Sequence, residues 1–483
     1  MRINFPGTAK RKLVAGSSIF CSYYSMTHII RKSNSVIFKL FKSHDVLTFL
    51  LTMTATAATS SLLYYLVFSS SSPTRTNKAS RKPTKVEDRR AIISKRKMLE
   101  SPEERYASLR IGNRFLNPFE EWTDIPFYKT LFFWLRRYKG NGIPRDEKAL
   151  EQALPTHKPD FDRIKNKENG VTFTWFGQST CLMTIDGVTI LSDPVFSSRS
   201  INNYIGPKRL RPISCSLEEV IHLVDIVIVS HDHFDHLNEK AVETLGNSVV
   251  WYVPLNLKRW LNARAIINVV ELDWWQETFY PFSDLMIACV PAMHWSGSRT
   301  PFEKNNTLWC SYVIKSKNNT LFFCGDTGYS SDLFKAIGRK YTPFTLAAIP
   351  IGSFLPTHLM QHLHMGPEDA IKAHLDLNCP RLSVGIHWGT FMMSDEYYLA
   401  PKQILEKAWA ECKRTLLARD SQTEDRVGSS SAIIAPPTHT RDPPSVSETR
   451  PENSMTDRAE QTEQGLLLTE FITTAFGQTV NLI

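Results

Sequence analysis

The sequence predicts an α/β sandwich of mixed sheets with helices on the outside, preceded by an N-terminal membrane-targeting extension. Three observations carry the prediction. Short β-type runs begin at Val171 and recur as far as Ile386, helix-type stretches such as Gly366 to His374 and Pro401 to Leu417 lie among the later ones, and an acid-free leader with an uncharged run precedes them all. Strands interleaved with amphipathic helices pack as sheet layers covered by helices.

The leader comes first along the chain. Residues 1–44 hold eight Lys or Arg, many Ser and Thr and no Asp or Glu, which is the composition of an organelle presequence and gives a mitochondrial address as the expectation. Val46 to Phe68 then runs 23 residues without a charge. At ~1.5 Å rise per residue that length crosses a bilayer core of about 30 Å. One transmembrane helix over 46–68 fits, and the polar middle from Thr52 to Ser61 leaves a longer cleaved targeting segment as the other reading. Lys39 and Lys42 precede the run, and Arg75, Lys78, Arg81 and Lys82 follow it, so the positive-inside rule gives no orientation. The expected location is a mitochondrial membrane, the inner one foremost, crossed once; an endomembrane is the alternative. Residues 69–109, opening with Ser69 to Ser72 and Pro73, are polar and basic and are expected to form a flexible tether.

Charge is placed unevenly. Residues 1–100 carry 18 Lys and Arg against Asp45, Glu87, Asp88 and Glu100, a local +14 that leaves −5 for the remainder of a chain whose total is +9. Phosphate-backbone binding needs clustered cations, so no nucleic-acid partner is expected for the globular part. The eight cysteines, at 21, 181, 215, 289, 310, 324, 379 and 412, form no C-x-x-C pair and read as free thiols, with Cys324 a small buried hydrophobe.

The globular domain is expected over 110–419. Near its start the aromatic cluster from Pro126 to Tyr138 reads either as a helix at a membrane interface or as one packed on the domain. Strands follow over Val171 to Phe176, Cys181 to Ile185 and Val188 to Leu191, the last two joined by Asp186-Gly187, a hairpin signal because both turn positions want positive φ. Further buried strands are expected over Val224 to Val229, Leu285 to Val290, Thr320 to Cys324, Ala347 to Ile351 and Leu382 to Ile386. Asp420 to Gln464 is rich in Ser, Thr, Pro and acids and reads as a disordered insertion over 420–464. Leu466 to Ile483 again looks like paired strands, so residues 465–483 are expected to close the domain.

The chemistry concentrates after the run Val224 to Val229. Ser230 is followed by His231-Asp232-His233-Phe234-Asp235-His236, so three imidazoles and two carboxylates emerge together at a strand's C-terminal end, where α/β sheets place their sites. Catalytic zinc takes borderline nitrogen and oxygen donors and keeps one position for water. His231 and His233, two apart, point the same way and suit one metal; Asp235 and His236 can reach a second. Three more donors follow expected strands: His294 in Pro291-Ala292-Met293-His294-Trp295, Asp326 in Gly325-Asp326-Thr327-Gly328, and His387 in Gly385-Ile386-His387-Trp388. Each taken singly is more often a hydrogen-bonded structural residue; taken with the first cluster they read as further ligands.

The strings SHDHFDHL, PAMHW, CGDTGY, AAIPIG and GIHWGTF, in that order, resemble the metallo-β-lactamase superfamily, and with LSDPVF, GPKRLRP and ELDWWQE they resemble its N-acyl-phosphatidylethanolamine-hydrolysing phospholipase D branch, over roughly residues 110–419. The resemblance implies a metallo-β-lactamase αββα sandwich holding two Zn2+. His231, His233 and His294 would serve one ion, Asp235, His236 and His387 the other, and Asp326 would bridge them. It implies hydrolysis of N-acyl-phosphatidylethanolamine to phosphatidic acid and an N-acylethanolamine, with Asp326 and His364 as the catalytic residues and Phe234 and His364 as substrate contacts. The family commonly carries Tyr where Phe234 stands, so one hydroxyl contact to the head group is missing. His364 reads equally as a surface histidine leading a helix. Asp193, in Ser192-Asp193-Pro194, reads as support for a ligand from behind or as a turn cap. The expected partners are the phospholipid substrate and the membrane, and a homodimer is compatible with them. The rival readings are a nuclease, lactonase or phosphatase on the same fold, and a non-catalytic membrane scaffold.

Overall fold

The computed structural model describes residues 85–126, 128–129, 132–133, 141–166, 170–297, 303–428 and 469–482. The leader of residues 1–44, the uncharged run 46–68 and residues 429–464 of the expected insertion lie outside them. No helix among the described residues is long and apolar enough to cross a membrane.

A small hairpin, β1 (Leu109–Ile111) and β2 (Arg114–Leu116), precedes two seven-stranded sheets. The first sheet contains β3 (Val171–Gly177), β4 (Thr180–Ile185), β5 (Val188–Ser192), β6 (Ile226–Ile228), β7 (Val250–Pro254) and β8 (Val269–Leu272). The second contains β9 (Glu277–Phe279), β10 (Met286–Val290), β11 (Ser311–Lys315), β12 (Thr320–Phe323), β13 (Leu346–Pro350), β14 (Leu382–Ile386) and β15 (Glu470–Ile472). A final strand, β16 (Thr479–Leu482), returns to the first sheet beside β3, giving the order β16-β3-β4-β5-β6-β7-β8; the second sheet runs β15-β14-β13-β12-β11-β10-β9. Asp186 and Gly187 turn β4 into β5 with φ of 43° and 89°, as two-residue hairpins require.

The central strands, such as β3 to β6 and β12 to β14, are buried on both faces because both faces are covered. Along β3 and β4 the residues Val171, Phe173, Trp175, Cys181, Met183 and Ile185 enter the core between the sheets. Leu182 between them, with Leu191, Val227 and Trp251, enters a second core instead. That core lies under helices Leu217–Val220, Glu239–Leu245 and Lys258–Asn262, which contribute Val220, Val242 and Leu261. On the second sheet, helix Ser331–Tyr341 buries Leu333, Phe334 and Ile337, and helix Pro367–Asp376 lies alongside with Ala370 and Ile371. The layers are therefore α, β, β, α.

Three expectations need correction. The segment 69–109 is not tether throughout. Lys85–Arg96 and Pro102–Arg105 are helices, and Arg89 donates to the carbonyls of Asn117 (2.8 Å) and Phe119 (2.6 Å) while Arg96 reaches those of Ala107 and Ser108. Its basic residues hold backbone carbonyls, which composition does not reveal. Likewise, the polar segment expected from Asp420 begins as helix, since Ala400–Gly428 is one continuous element. And the two closing strands do not pair with each other. β15 extends the second sheet beside β14 and β16 the first beside β3, because each sheet leaves one edge that the same chain end can reach. Of the aromatic cluster Pro126 to Tyr138, Tyr128 and Phe132 are exposed and Phe133 is buried; the other aromatic residues lie outside the described part.

One buried cation fixes the rim of the first sheet. Arg209 donates through Nε to Ser197 O (2.9 Å), through Nη1 to Phe176 O (3.1 Å) and through Nη2 to Val195 O, with its guanidinium 4.9 Å from the centre of the Phe391 ring. Burial lowers its pKa to about 9. Arg209→Met keeps the aliphatic stem but leaves three carbonyls without a donor, and should lower the unfolding free energy by about 3–5 kcal/mol. A urea titration measures this, and a loss under about 1 kcal/mol would mean the carbonyls find other partners.

Candidate metal centre

β10, β12 and β14 run in one direction, since β10 and β12 are each antiparallel to β11 and β12 to β14 are parallel. Residues that follow them share one rim: His294 after β10, Asp326 after β12 and His387 after β14. In the first sheet β3, β5 and β6 also share a direction, and behind them come Gln178, Asp193 and the His231 to His236 turn. The turn closes with His236 N and Leu237 N on His233 O at 3.1 and 2.9 Å.

The sandwich thus brings all seven expected ligands together, each of them buried. His231, His233 and His294 offer donor atoms within 4.8 Å of one another, and so do Asp235, His236 and His387. Asp326 lies between the groups: its Oδ2 is 3.0 Å from His236 Nε2, 3.2 Å from His387 Nε2, 3.8 Å from His294 Nε2 and 4.0 Å from His231 Nε2. His364 also comes close, with Nδ1 3.7 Å from Asp326 Oδ2, so His294, Asp326 and His364 make a further grouping.

Outer hydrogen bonds select which ring nitrogen faces inward. Asp193, buried behind the turn, accepts from Ser230 N (2.7 Å) and Ser230 Oγ (2.6 Å), and takes His236 Nδ1–H at 2.7 Å. Because Ser230 Oγ gives its proton to Asp193, it accepts from His231 Nδ1 at 2.9 Å. Leu363 O accepts from His294 Nδ1 at 2.9 Å. Nε2 is thereby the nitrogen that faces the cluster in three imidazoles, assigned from these partners. His233 presents Nδ1, 2.8 Å from His231 Nε2 and 3.3 Å from His294 Nε2.

The electrostatics call for a cation. Burial, with the neighbouring imidazoles, holds His231 well below the usual histidine range; burial likewise lowers His233 to about 3 and His294 well down, so these rings are neutral donors. Burial opposes charge at His236 and His387 too, yet the Asp326 and Asp235 carboxylates outweigh it, raising His387 to about 9 and His236 well above its ordinary value. Asp326 is ionised, held well down against burial by His236, His387 and His364. Buried His236 Nε2 and Asp326 Oδ1 have no hydrogen-bond partner among the described residues. Without a metal, His236 and His387 hold protons against Asp326 and Asp235; a divalent ion would displace those protons, and the imidazole nitrogens and carboxylates are the donor set it needs.

The cluster opens into a cavity of about 290 Å3 whose walls include Ile125, Phe133, Trp295, Leu359, Met360, Leu363 and Met393, with Phe234, Ser353 and His364 at its side. A larger cavity of about 860 Å3 lies on the other side of Phe234, against helix Glu239–Leu245. Phe234 alone is common to both, and the larger one contains none of the seven clustered residues. Sequence reasoning missed Gln178, whose side-chain Nε2 is 2.7 Å from both Asp235 Oδ2 and His387 Nε2. Its place after β3 on the same rim is the signal that could have found it.

The family described as "Beta-lactamase superfamily domain" matches residues 188–388. The chain is 38% identical over 314 residues to N-acyl-phosphatidylethanolamine-hydrolyzing phospholipase D 1 of Caenorhabditis elegans, covering 62% of this chain and 87% of that one. It is 34% identical to the mitochondrial N-acyl-phosphatidylethanolamine-hydrolyzing phospholipase D of Saccharomyces cerevisiae, covering 62% and 72%. Among solved structures, Igni18, a metallo hydrolase from Ignicoccus hospitalis, is 16% identical with a TM-score of 0.40, covering 65% of this chain and 99% of that one.

Asp193→Ala removes the acceptor for His236 and for Ser230 together. Metal affinity should fall about 10–100-fold. Zinc titration of chelator-stripped protein checks this, and an unchanged affinity would make Asp193 a turn cap only.

Proposed function

The chain belongs to the N-acyl-phosphatidylethanolamine-hydrolysing phospholipase D family, with the metallo-β-lactamase fold, and from that premise we propose that it is a dizinc phosphodiesterase releasing phosphatidic acid and an N-acylethanolamine from N-acyl-phosphatidylethanolamine. That it is a metal-dependent hydrolase follows from the family. The finer reading rests on one observation: a buried cluster of imidazoles and carboxylates forms the floor of a cavity with apolar walls. A lipid fits such a site end-on, its phosphodiester at the floor and its chains along the walls.

His231, His233 and His294 would hold one zinc, Asp235, His236 and His387 the other, with Asp326 shared. Bound there, the zinc pair supplies water of lowered pKa and Lewis acidity toward the phosphoryl oxygens. The chain's own residues do the rest. Asp193, Ser230 and Leu363 O keep the ligand rings turned inward. Ile125, Phe133, Trp295 and Leu363 exclude bulk water from the reacting phosphate. His364, which lines the cavity with its ring centre 5.1 Å from that of His387, would hydrogen-bond the substrate, and Phe234 would contact it without a hydroxyl.

An N-acyl group adds a third apolar chain and removes the amine's positive charge. Ordinary phosphatidylethanolamine would carry an ammonium toward two zinc ions in a partly desolvated cleft, which is unfavourable. N-acyl-phosphatidylethanolamine should therefore be cleaved well ahead of phosphatidylethanolamine or phosphatidylcholine, as mass spectrometry of the products will read. Equal turnover of phosphatidylcholine, or release of diacylglycerol, would refute the assignment. His364→Ala should cut this hydrolysis while elemental analysis still finds close to two zinc ions per chain; loss of zinc would make His364 a ligand.

A mitochondrial membrane location is part of the proposal, supported by the acid-free leader and by the word "mitochondrial" in the yeast relative's name. Deleting residues 1–44 should misdirect a tagged chain in fractionated cells. Secretory-pathway entry of the full chain would overturn the reading.

A further inference from the structure

Gln178 is buried, 1% exposed, and sits at φ 51°, in a region that L side chains other than Asn and Asp seldom occupy. Such a residue persists only where its surroundings over-determine it. Here they do. Gly177 before it has φ 106°, and a Cβ there would meet Arg209 Nη1 and Thr390 Oγ1 at 2.9 Å, so the chain at this point admits only glycine. Gln178 N donates to Thr390 Oγ1 (2.7 Å), and Gln178 O accepts from Trp175 Nε1 (2.8 Å) and from His387 N (2.8 Å). His387 is itself at φ 58°. Two left-handed residues, one ending a strand of each sheet, therefore brace each other across the sandwich.

The side chain uses this fixed base to reach Asp235 Oδ2 and His387 Nε2, which are 3.7 Å apart, from a single nitrogen at 2.7 Å from each. A carboxamide nitrogen has two protons to give. Asp235 Oδ2 accepts whatever the state of the neighbouring ring, whereas His387 Nε2 accepts only when it carries no proton. A carboxylate oxygen has a second lone pair and can accept from an amide while ligating a cation; an imidazole Nε2 has one. With a metal on His387 Nε2, the contact to Asp235 is the one that remains.

We propose that Gln178 is a positioning residue for the second metal site: its carboxamide orients Asp235 as a ligand, and its main-chain carbonyl fixes the start of the His387 loop. This rests on the two-metal reading above. The side-chain half is separable from the main-chain half, because replacing the side chain leaves the main-chain donors and acceptors in place.

The test is a competitive Zn2+ titration of the full chain after chelator stripping. Wild-type protein taking up one ion would sink the two-metal reading itself. If wild-type takes up two, Gln178→Met, which keeps length and removes the donor, should bind the first as wild-type does and the second about 10–100-fold more weakly. Its melting temperature in chelator should match wild-type, which a role in folding alone would not allow. Both steps coinciding with wild-type, or both weakening together, overturns the inference. Should the Met variant not fold, Gln178→Asn retains a buried amide but withdraws it by one methylene, and the same two results decide.

Discussion

Five imidazoles and two carboxylates lie buried at the rim of an apolar sandwich, with their donor atoms turned toward one shared space that suits positive charge. That constraint organises the rest. Unpaired buried polar groups cost several kcal/mol each in a low-dielectric interior, so the surrounding shell must hold every ring in one orientation. Asp193 does this from the end of β5 and Leu363 O from the loop before helix Pro367–Asp376. The raised His236 and His387 and the lowered Asp326 are one statement of the same field, and a divalent ion would relieve it.

Much of this was legible in the sequence because chemistry and strand ends coincide. Runs such as Thr320 to Cys324 and Leu382 to Ile386 are apolar on both faces, so a polar residue just beyond them, Asp326 or His387, stands out against its setting. The site is built at the C-terminal ends of co-directional strands from two sheets, and a linear pattern exposes each such end separately. Gln178 escaped because a glutamine is not a metal donor by habit, and its left-handed backbone has no mark in the one-letter code beyond the glycine before it. Pairing partners were also hidden: β15 and β16 share a local look yet serve different sheets, a choice made by which edges remain free.

The N-terminal region shows the opposite failure. Composition reads Arg89 and Arg96 as solvated charges, but their guanidinium groups finish backbone carbonyls at Asn117, Phe119, Ala107 and Ser108. Asn117, once placed, donates to His294 O at 2.6 Å, so the basic segment is linked by two hydrogen bonds to the metal rim. Long cationic side chains can be structural donors wherever a carbonyl lacks a partner, and no count of net charge distinguishes the two uses.

The late strand β16 also sets an order of events during synthesis. Thr479 Oγ1 bonds Thr174 Oγ1 across 305 residues, and β3, whose seven residues are all buried, has β16 as its neighbour on that side among the described strands. At about 5–20 residues per second a ribosome needs roughly 15–60 s between the two. During that interval the edge of β3 that β16 will cover has no strand beside it, and an open strand edge is a template for pairing with another chain.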